Sequence, residues 1–266
     1  MIFVNKLRLF SVFLSILLFI TGITVANSEI FYSARAVCLY NATDKEVIYG
    51  YNENEKMSPA SITKIVTAIT AIEMGNLSST VVIDKKSSMT EGSSIYLKAG
   101  EKLTLQQLLY GLMLNSGNDA ANAIATYFGY DSFVDGMNET AKWAGAYNSS
   151  FENPSGLDGE NHYVTASDMA LITAYALENE AFSKIVSTKT AVIKSKDGNE
   201  RYLKNHNKLL WESDDYIGVK TGFTKKAGRT LVSAVKKNGK TYICVTLKAP
   251  DDWNDHRKIY ENYIKE

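Results

Sequence analysis

The chain has 266 residues, 45% of them hydrophobic and 22% charged, with 29 basic residues against 29 acidic ones. That length and composition suit one large domain or two interleaved lobes around a sizeable core, and exclude a disordered or low-complexity chain. Zero net charge without a basic stripe speaks against nonspecific nucleic-acid binding, so an acidic ligand has to be met by local cations.

In chain order, Met1 to Arg8 carries Lys6 and Arg8 and no acid, and an apolar run follows from Leu9 to Val25. Thr24 and Ala26 then supply the small residues that a signal peptidase reads. This layout predicts export, with residues 1–26 as a cleaved signal peptide. An uncleaved N-terminal membrane anchor stays open, because the run is near the shortest that can span a bilayer. The expected location is extracytoplasmic in either case, and a membrane contact is expected only if the segment is uncleaved.

Ala34 to Tyr40 and Glu46 to Tyr51 read as two strands around an Asn41-Ala-Thr-Asp44 turn. Ser58-Pro59 then opens a helix through Ile65, Ile69 and Ile72 that stops near Gly75, with serine as N-cap and proline at the first helical position. Thr104-Leu-Gln-Gln107 is a capping box for a second helix, which breaks around Asn115-Ser-Gly-Asn118. An alanine-rich helix to Gly129 and another from Asp131 to about Gly145 follow. Thr165-Ala-Ser-Asp168 reads as a further capping box, opening a helix through Ala176.

Strand signals return at Thr190 to Ser195, Glu200 to Leu203, Arg229 to Lys236 and Thr241 to Lys248, before a terminal helix from Trp253 to Ile264. Strands at both ends thus bracket a helical middle. A chain that starts a sheet, leaves for a helical lobe and returns makes a two-lobed α/β molecule with a cleft between the lobes. The expected division is a sheet lobe from about 30–75 and 187–266, and a helical lobe over about 76–186, within one domain at 27–266.

Three short motifs carry chemistry. Ser61-Ile-Thr-Lys64 lies in the first turns of the first long helix, where residues three apart share a face, so Ser61 Oγ and Lys64 Nζ can meet. Serine is a weak nucleophile until a base takes its proton, and a lysine can be that base only when neutral. Burial and a nearby cation such as Lys220 would lower its pKa. Ser233-Ala-Val-Lys236 has the same spacing but sits in a predicted strand, where residues three apart face opposite sides. Ser116-Gly-Asn118 places a hydroxyl and a carboxamide at a break between helices. Helix capping is the plain alternative there. Lys220-Thr-Gly222 combines two groups able to grip a carboxylate with a glycine that lets a ligand approach the backbone closely. An edge strand with a solvent-facing lysine is its plain alternative.

In this order, with Ser58-Pro-Ala-Ser-Ile-Thr-Lys64, Leu109 to Ala121, Asn153-Pro-Ser-Gly-Leu157, His162-Tyr-Val-Thr-Ala166 and Gly218 to Thr224, the chain resembles the low-molecular-mass penicillin-binding proteins. These are the serine D-alanyl-D-alanine carboxypeptidases, and the match runs from about Ala34 to the C-terminus. The resemblance implies a serine β-lactamase-like two-lobed α/β fold, an antiparallel sheet flanked by helices plus an all-helical lobe. It implies that Ser61 attacks the carbonyl between two D-alanines at the end of a peptidoglycan stem peptide while Lys64 takes its proton. Ser116 would relay a proton to the leaving D-alanine, and Asn118 would hold the substrate amide. Lys220 and Thr221 would hold the terminal carboxylate beside Gly222, and the N–H groups of Ser61 and Phe223 would form the oxyanion hole. β-Lactams would acylate Ser61, and no metal or organic cofactor is implied.

The chain departs from many members in carrying Asn205-His206-Asn207 where they often have an arginine before the asparagine. His206 could replace part of the carboxylate grip or be structural. Several rivals remain: a DD-endopeptidase using the same site, a class A β-lactamase, and an inert wall-binding relative. The Glu-x-x-Leu-Asn stretch of such β-lactamases is absent, although Glu152 and Glu160 lie in the region. No HExxH or GxSxG pattern occurs, and His162, His206 and His256 are expected to be structural or surface residues. Cys38 and Cys244 are read as buried thiols, with a disulfide left open by export.

Overall fold

The computed structural model describes residues 32–264, so the segment read as a signal peptide or anchor lies outside the described residues. Five strands form an antiparallel sheet in the order β2-β1-β9-β8-β7. They are β1 Ala36–Asn41, β2 Glu46–Tyr51, β7 Tyr216–Thr224, β8 Gly228–Lys237 and β9 Lys240–Leu247. All of β1 is buried while β2 is largely exposed. A strand covered on both faces reads as a continuous apolar run, and an edge strand need not.

Ala36 and Cys38 face the main core with Val245, and Val37 and Leu39 face the second core with Cys244. The main core lies between the sheet and the helices α1 Lys64–Met74, α3 Leu105–Leu114, α4 Asn118–Phe128, α5 Tyr130–Trp143, α6 Ala166–Leu177 and α7 Glu180–Ser187. The second, smaller core lies under α8 Asp252–Tyr263. The two cysteines therefore occupy opposite faces of the sheet and are free. Burial pushes the Cys38 thiol up to about 12.

The strands over 190–204 do not rejoin the sheet, as the sequence suggests they should. β5 Thr190–Lys194 and β6 Glu200–Lys204 pair only with each other, as a hairpin. Its anchor is Arg201, which donates from Nη1 and Nη2 to the two Glu101 oxygens at 2.7 Å each, and from Nε to the Ile95 carbonyl at 2.6 Å. A third, two-stranded sheet pairs β3 Thr80–Val82 with β4 Lys102–Thr104 across a connection that holds the short helix α2 Lys85–Ser88, a pattern too short to read from sequence.

The expected helix opening at Ser58-Pro59 is a different structure. Ala60–Thr63 is a 3-10 turn without a side-chain cap, and the α-helix begins only at Lys64. The reason is tertiary. Ala60 has φ +52°, and the backbone of Gly156 (φ +87°) lies so close that a Cβ there would meet the Ala60 carbonyl. Thr230 Oγ1 donates to the Pro59 carbonyl at 2.8 Å, clamping β8 to the turn. The Thr104 capping box forms with both of its reciprocal bonds. At Thr165 only half of it forms, since Asp168 instead accepts from the Asn148 N–H and the Ser149 hydroxyl.

Candidate active site

Ser61 and Lys64 are joined by the 3-10 turn, in which side chains three apart eclipse. Lys64 Nζ lies 3.0 Å from Ser61 Oγ. It also donates to Asn118 Oδ1 at 2.7 Å and to the Ser155 carbonyl. Both of these partners can only accept, so they take two N–H groups. With the amine neutral, those two bonds use both of its hydrogens and its lone pair faces Ser61 Oγ, the arrangement a general base needs. The lysine is fully buried, and its pKa is held well below the ordinary value by desolvation and then by Lys220, with Asp119 acting in the opposite sense. Lys220 is buried too, and desolvation brings it down to about 7. Its Nζ donates to the Thr221 carbonyl at 2.8 Å.

Ser116 sits between α3 and α4 with φ +60°, a left-handed conformation that turns the chain between the helices. Asn118 is nearly inaccessible: Oδ1 accepts from Lys64, and Nδ2 donates to the Glu91 carbonyl at 2.7 Å. Its Oδ1 thus orients the lysine, and the second Nδ2 hydrogen is left for the substrate-amide contact expected of Asn118.

Lys220, Thr221, Gly222 and Phe223 lie within β7, the edge of the sheet. A Cβ on Gly222 would stand 2.8 Å from the Ser61 nitrogen and 2.4 Å from Thr230 Oγ1, so only glycine permits this approach. Ser61, Ser116, Thr221, Gly222 and Phe223 line one cavity of about 680 Å³. His206 lies at its exposed rim, whereas neither Glu152 nor Glu160 lines it. Among the described residues no group of three or more His, Cys, Asp or Glu side chains is arranged to hold a metal.

The family profile of S11 peptidases, D-alanyl-D-alanine carboxypeptidase, matches residues 23–251. The chain belongs to the S11 peptidase family. This S11 peptidase is 34% identical over 230 residues to D-alanyl-D-alanine carboxypeptidase DacF of Bacillus subtilis, covering 84% of this chain and 59% of that one. It is 36% identical over 205 residues to DacB2 of Mycobacterium tuberculosis, covering 76% and 70%. The chain thus aligns with less than two thirds of the Bacillus protein's length. The Streptomyces K15 DD-transpeptidase crystal structure superposes with a TM-score of 0.83 at 33% identity, over 88% of this chain and 98% of that one. The penicillin-binding, β-lactamase-like α/β fold expected from the motifs is the fold observed.

The segments that flank the three motifs shape the S11 site through contacts that the sequence does not announce. Asn153 Oδ1 accepts from the Ser155 N–H, the Ser155 hydroxyl and the Gly156 N–H, shaping the loop that presents the Ser155 carbonyl to Lys64. His162 Nδ1 accepts from the Glu152 N–H at 3.0 Å, so Nε2 carries the hydrogen facing Thr63 Oγ1 at 2.9 Å. Burial brings its pKa down to about 4. Asp119 accepts from the Ser94 hydroxyl and from the Ile95 and Leu97 N–H groups, fixing the loop beside the cleft. The Ser233/Lys236 decoy is no pair: Ser233 bonds His256 and Tyr260 beneath the sheet.

Proposed function

We propose that this protein is an exported serine D-Ala-D-Ala carboxypeptidase that acts on peptidoglycan stem peptides and is acylated by β-lactams. The observation that carries the reading is the buried Lys64 amine, 3.0 Å from Ser61 Oγ and held well below its ordinary pKa by burial and then by Lys220. Ser61 attacks the carbonyl of the penultimate D-alanine as Lys64 takes its proton. The N–H groups of Ser61 and Phe223, on either side of Gly222, receive the oxyanion. The substrate lies along the open edge of β7 as an added strand.

Thr221 and the charged form of Lys220 receive the terminal carboxylate, and Ser116 passes a proton to the departing amine. Water then releases the acyl group. Family membership supports the substrate class, since the matching profile and relatives bear the name D-alanyl-D-alanine carboxypeptidase. Relatives from Streptomyces K15 carry the names carboxypeptidase and DD-transpeptidase, and both activities pass through one acyl-enzyme.

The test is release of D-alanine from a short peptide ending in Lys-D-Ala-D-Ala, alongside covalent labelling by a fluorescent penicillin. The parent should do both and Ser61→Ala neither. Release by Ser61→Ala would remove Ser61 as nucleophile, and absence of both from the parent would reject the activity. Export is tested separately by finding the protein outside the cytoplasm.

A further inference from the structure

Residues 151–162 contain no helix or strand, yet they supply the Ser155 carbonyl that accepts from Lys64. The two ends of this loop are joined where Ser150 and Tyr163 exchange backbone hydrogen bonds of 2.8 and 3.0 Å. Just inside that neck stands His162, 2% exposed, with the Phe151 ring edge-on at 5.8 Å. Its two nitrogens have different partners. Nδ1 accepts from the Glu152 N–H at 3.0 Å and from Asn153 Nδ2 at 3.4 Å, which closes the loop on itself. Nε2 donates at 2.9 Å to Thr63 Oγ1, a buried hydroxyl next to Lys64 in the turn that carries Ser61. One imidazole thus joins the loop that presents an acceptor to the lysine and the turn from which the lysine projects. Thr67 Oγ1 adds a buried bond to the Pro154 carbonyl at 2.8 Å. On its far side the loop is tied to the β7–β8 turn by Thr224 Oγ1 to Asp158 Oδ1 at 3.0 Å and by Lys226 Nζ to the Gly159 carbonyl at 3.1 Å, both exposed. Exposed bonds compete with water and hold weakly, so the buried ties set the position of the loop.

We infer that His162 is a positioning residue: through Thr63 and the 151–162 loop it fixes where the Ser155 carbonyl meets Lys64, and so how the amine is aimed at Ser61. This rests on the reading above, in which Lys64 is the base. His162 does not line the cleft, so it acts on the reaction only through these neighbours. Only the neutral imidazole with its hydrogen on Nε2 makes both bonds, because a hydrogen on Nδ1 would face the Glu152 N–H. Burial keeps the ring in that form, with its pKa down at about 4. Glu152 and Asp158 act to raise that value, and Lys226 and Lys64 to lower it. The histidine therefore serves as a fixed donor and acceptor, and carries no proton for the reaction.

Stopped-flow labelling with a fluorescent penicillin separates the dissociation constant of the first complex from the acylation rate that follows. His162→Ala should slow acylation about tenfold or more and leave the dissociation constant within about twofold, because the imidazole touches no ligand. His162→Gln still reaches Thr63 with an N–H and should recover most of the rate. His162→Asn is one methylene shorter, keeps an acceptor for Glu152 but loses the donor to Thr63, and should stay as slow as His162→Ala. Thr63→Val should slow acylation to a similar degree, with little further loss when it is combined with His162→Ala. Urea midpoints report the folding of each variant, and the order of the rates should not follow the order of the stabilities. If His162→Ala does not fold, the His162→Gln, His162→Asn and Thr63→Val comparison carries the test. Nitrogen-15 NMR of the parent should find the hydrogen on Nε2 from about pH 8 to about pH 5. The positioning role is overturned by equal rates in His162→Gln and His162→Asn, by additive losses, by dissociation constants that move with the rates, or by an imidazole that titrates at its ordinary 6.5. A parent that penicillin does not label brings down the reading of Ser61 and Lys64 instead.

Discussion

Asn118 Oδ1 lies 2.7 Å from Lys64 Nζ and accepts one of its hydrogens. A carboxylate in that place would favour the ammonium and remove the lone pair from Ser61. Asn118→Asp should therefore slow penicillin acylation about a hundredfold or more at neutral pH, with the rate recovering as pH rises. Asn118→Ala should lose less and show no such recovery. Stopped-flow acylation across pH separates the two, and matching profiles would remove Asn118 as the orienting group.

Gly222 is required by contact. An alanine Cβ would press on Thr230 Oγ1 and on the backbone nitrogens of Ser61 and Ile62. Gly222→Ala should cost about 1–3 kcal/mol of stability. Displacement of β7 from Ser61 should lower acylation about a hundredfold. Adding Thr230→Ala relieves only the side-chain contact, so stability should recover more than acylation. Denaturant titration and penicillin labelling of the single and double variants check this.

Both buried lysines have lowered pKa values, and Lys220 is one cause of the lowering at Lys64. Acylation should rise with pH as Lys64 loses its proton and fall as Lys220 loses its own near about 7. In Lys220→Gln the cation that depresses Lys64 is gone, so the acid limb should move to higher pH. An unmoved limb would mean that Lys220 exerts no such field.

Stability follows with a definite sign. Lys220 titrates near about 7 in the folded state, below its ordinary 10.5. Between those values the unfolded chain binds the extra proton, and stability rises with pH. Lys220→Met should flatten that slope between pH 7.5 and 9.5, as read from urea midpoints.

Arg201 and Glu101 form a two-pronged buried pair, with side chains 10% and 1% exposed. Arg201→Ala should destabilise by about 3–5 kcal/mol because it strands a buried carboxylate, whereas Arg201→Met with Glu101→Leu should cost much less. Thermal unfolding gives the comparison. Because the pair ties β6 to the loop beside the cleft, the single variant should also weaken penicillin acylation more than the double variant does.

The chemistry of this molecule is legible where side chains speak for themselves. Ser61 with Lys64, the Thr104 cap and the strand setting of the Ser233 decoy all follow from residue type and spacing. The rest depends on contacts that spacing does not encode. The Ser155 acceptor is a backbone carbonyl and has no residue signature. The 3-10 start at Ala60 is imposed by Gly156 and Thr230, which are distant in sequence. Thr165 looks like a full capping box because Asp168 is three residues on, yet that carboxylate finds better partners at 148–149. Arg229 and Asp252 meet only because β8 and α8 are neighbours in space. The hairpin β5–β6 has the composition of sheet strands, but the partner of its anchor Arg201 is Glu101, a hundred residues earlier in the chain.

The strand order β2-β1-β9-β8-β7 puts the last strand in the middle. Until β9 is in place, the sheet is two separate hairpins, β1–β2 holding the approach to Ser61 and β7–β8 holding Lys220-Thr-Gly222. Isolated hairpins of this kind are marginal in water. The site is therefore completed only when β9 pairs, and its pairing with β1 joins residues about two hundred positions apart, a slow closure. Folding of the sheet and assembly of the cleft are thereby one event, fixed by β9 settling between β1 and β8.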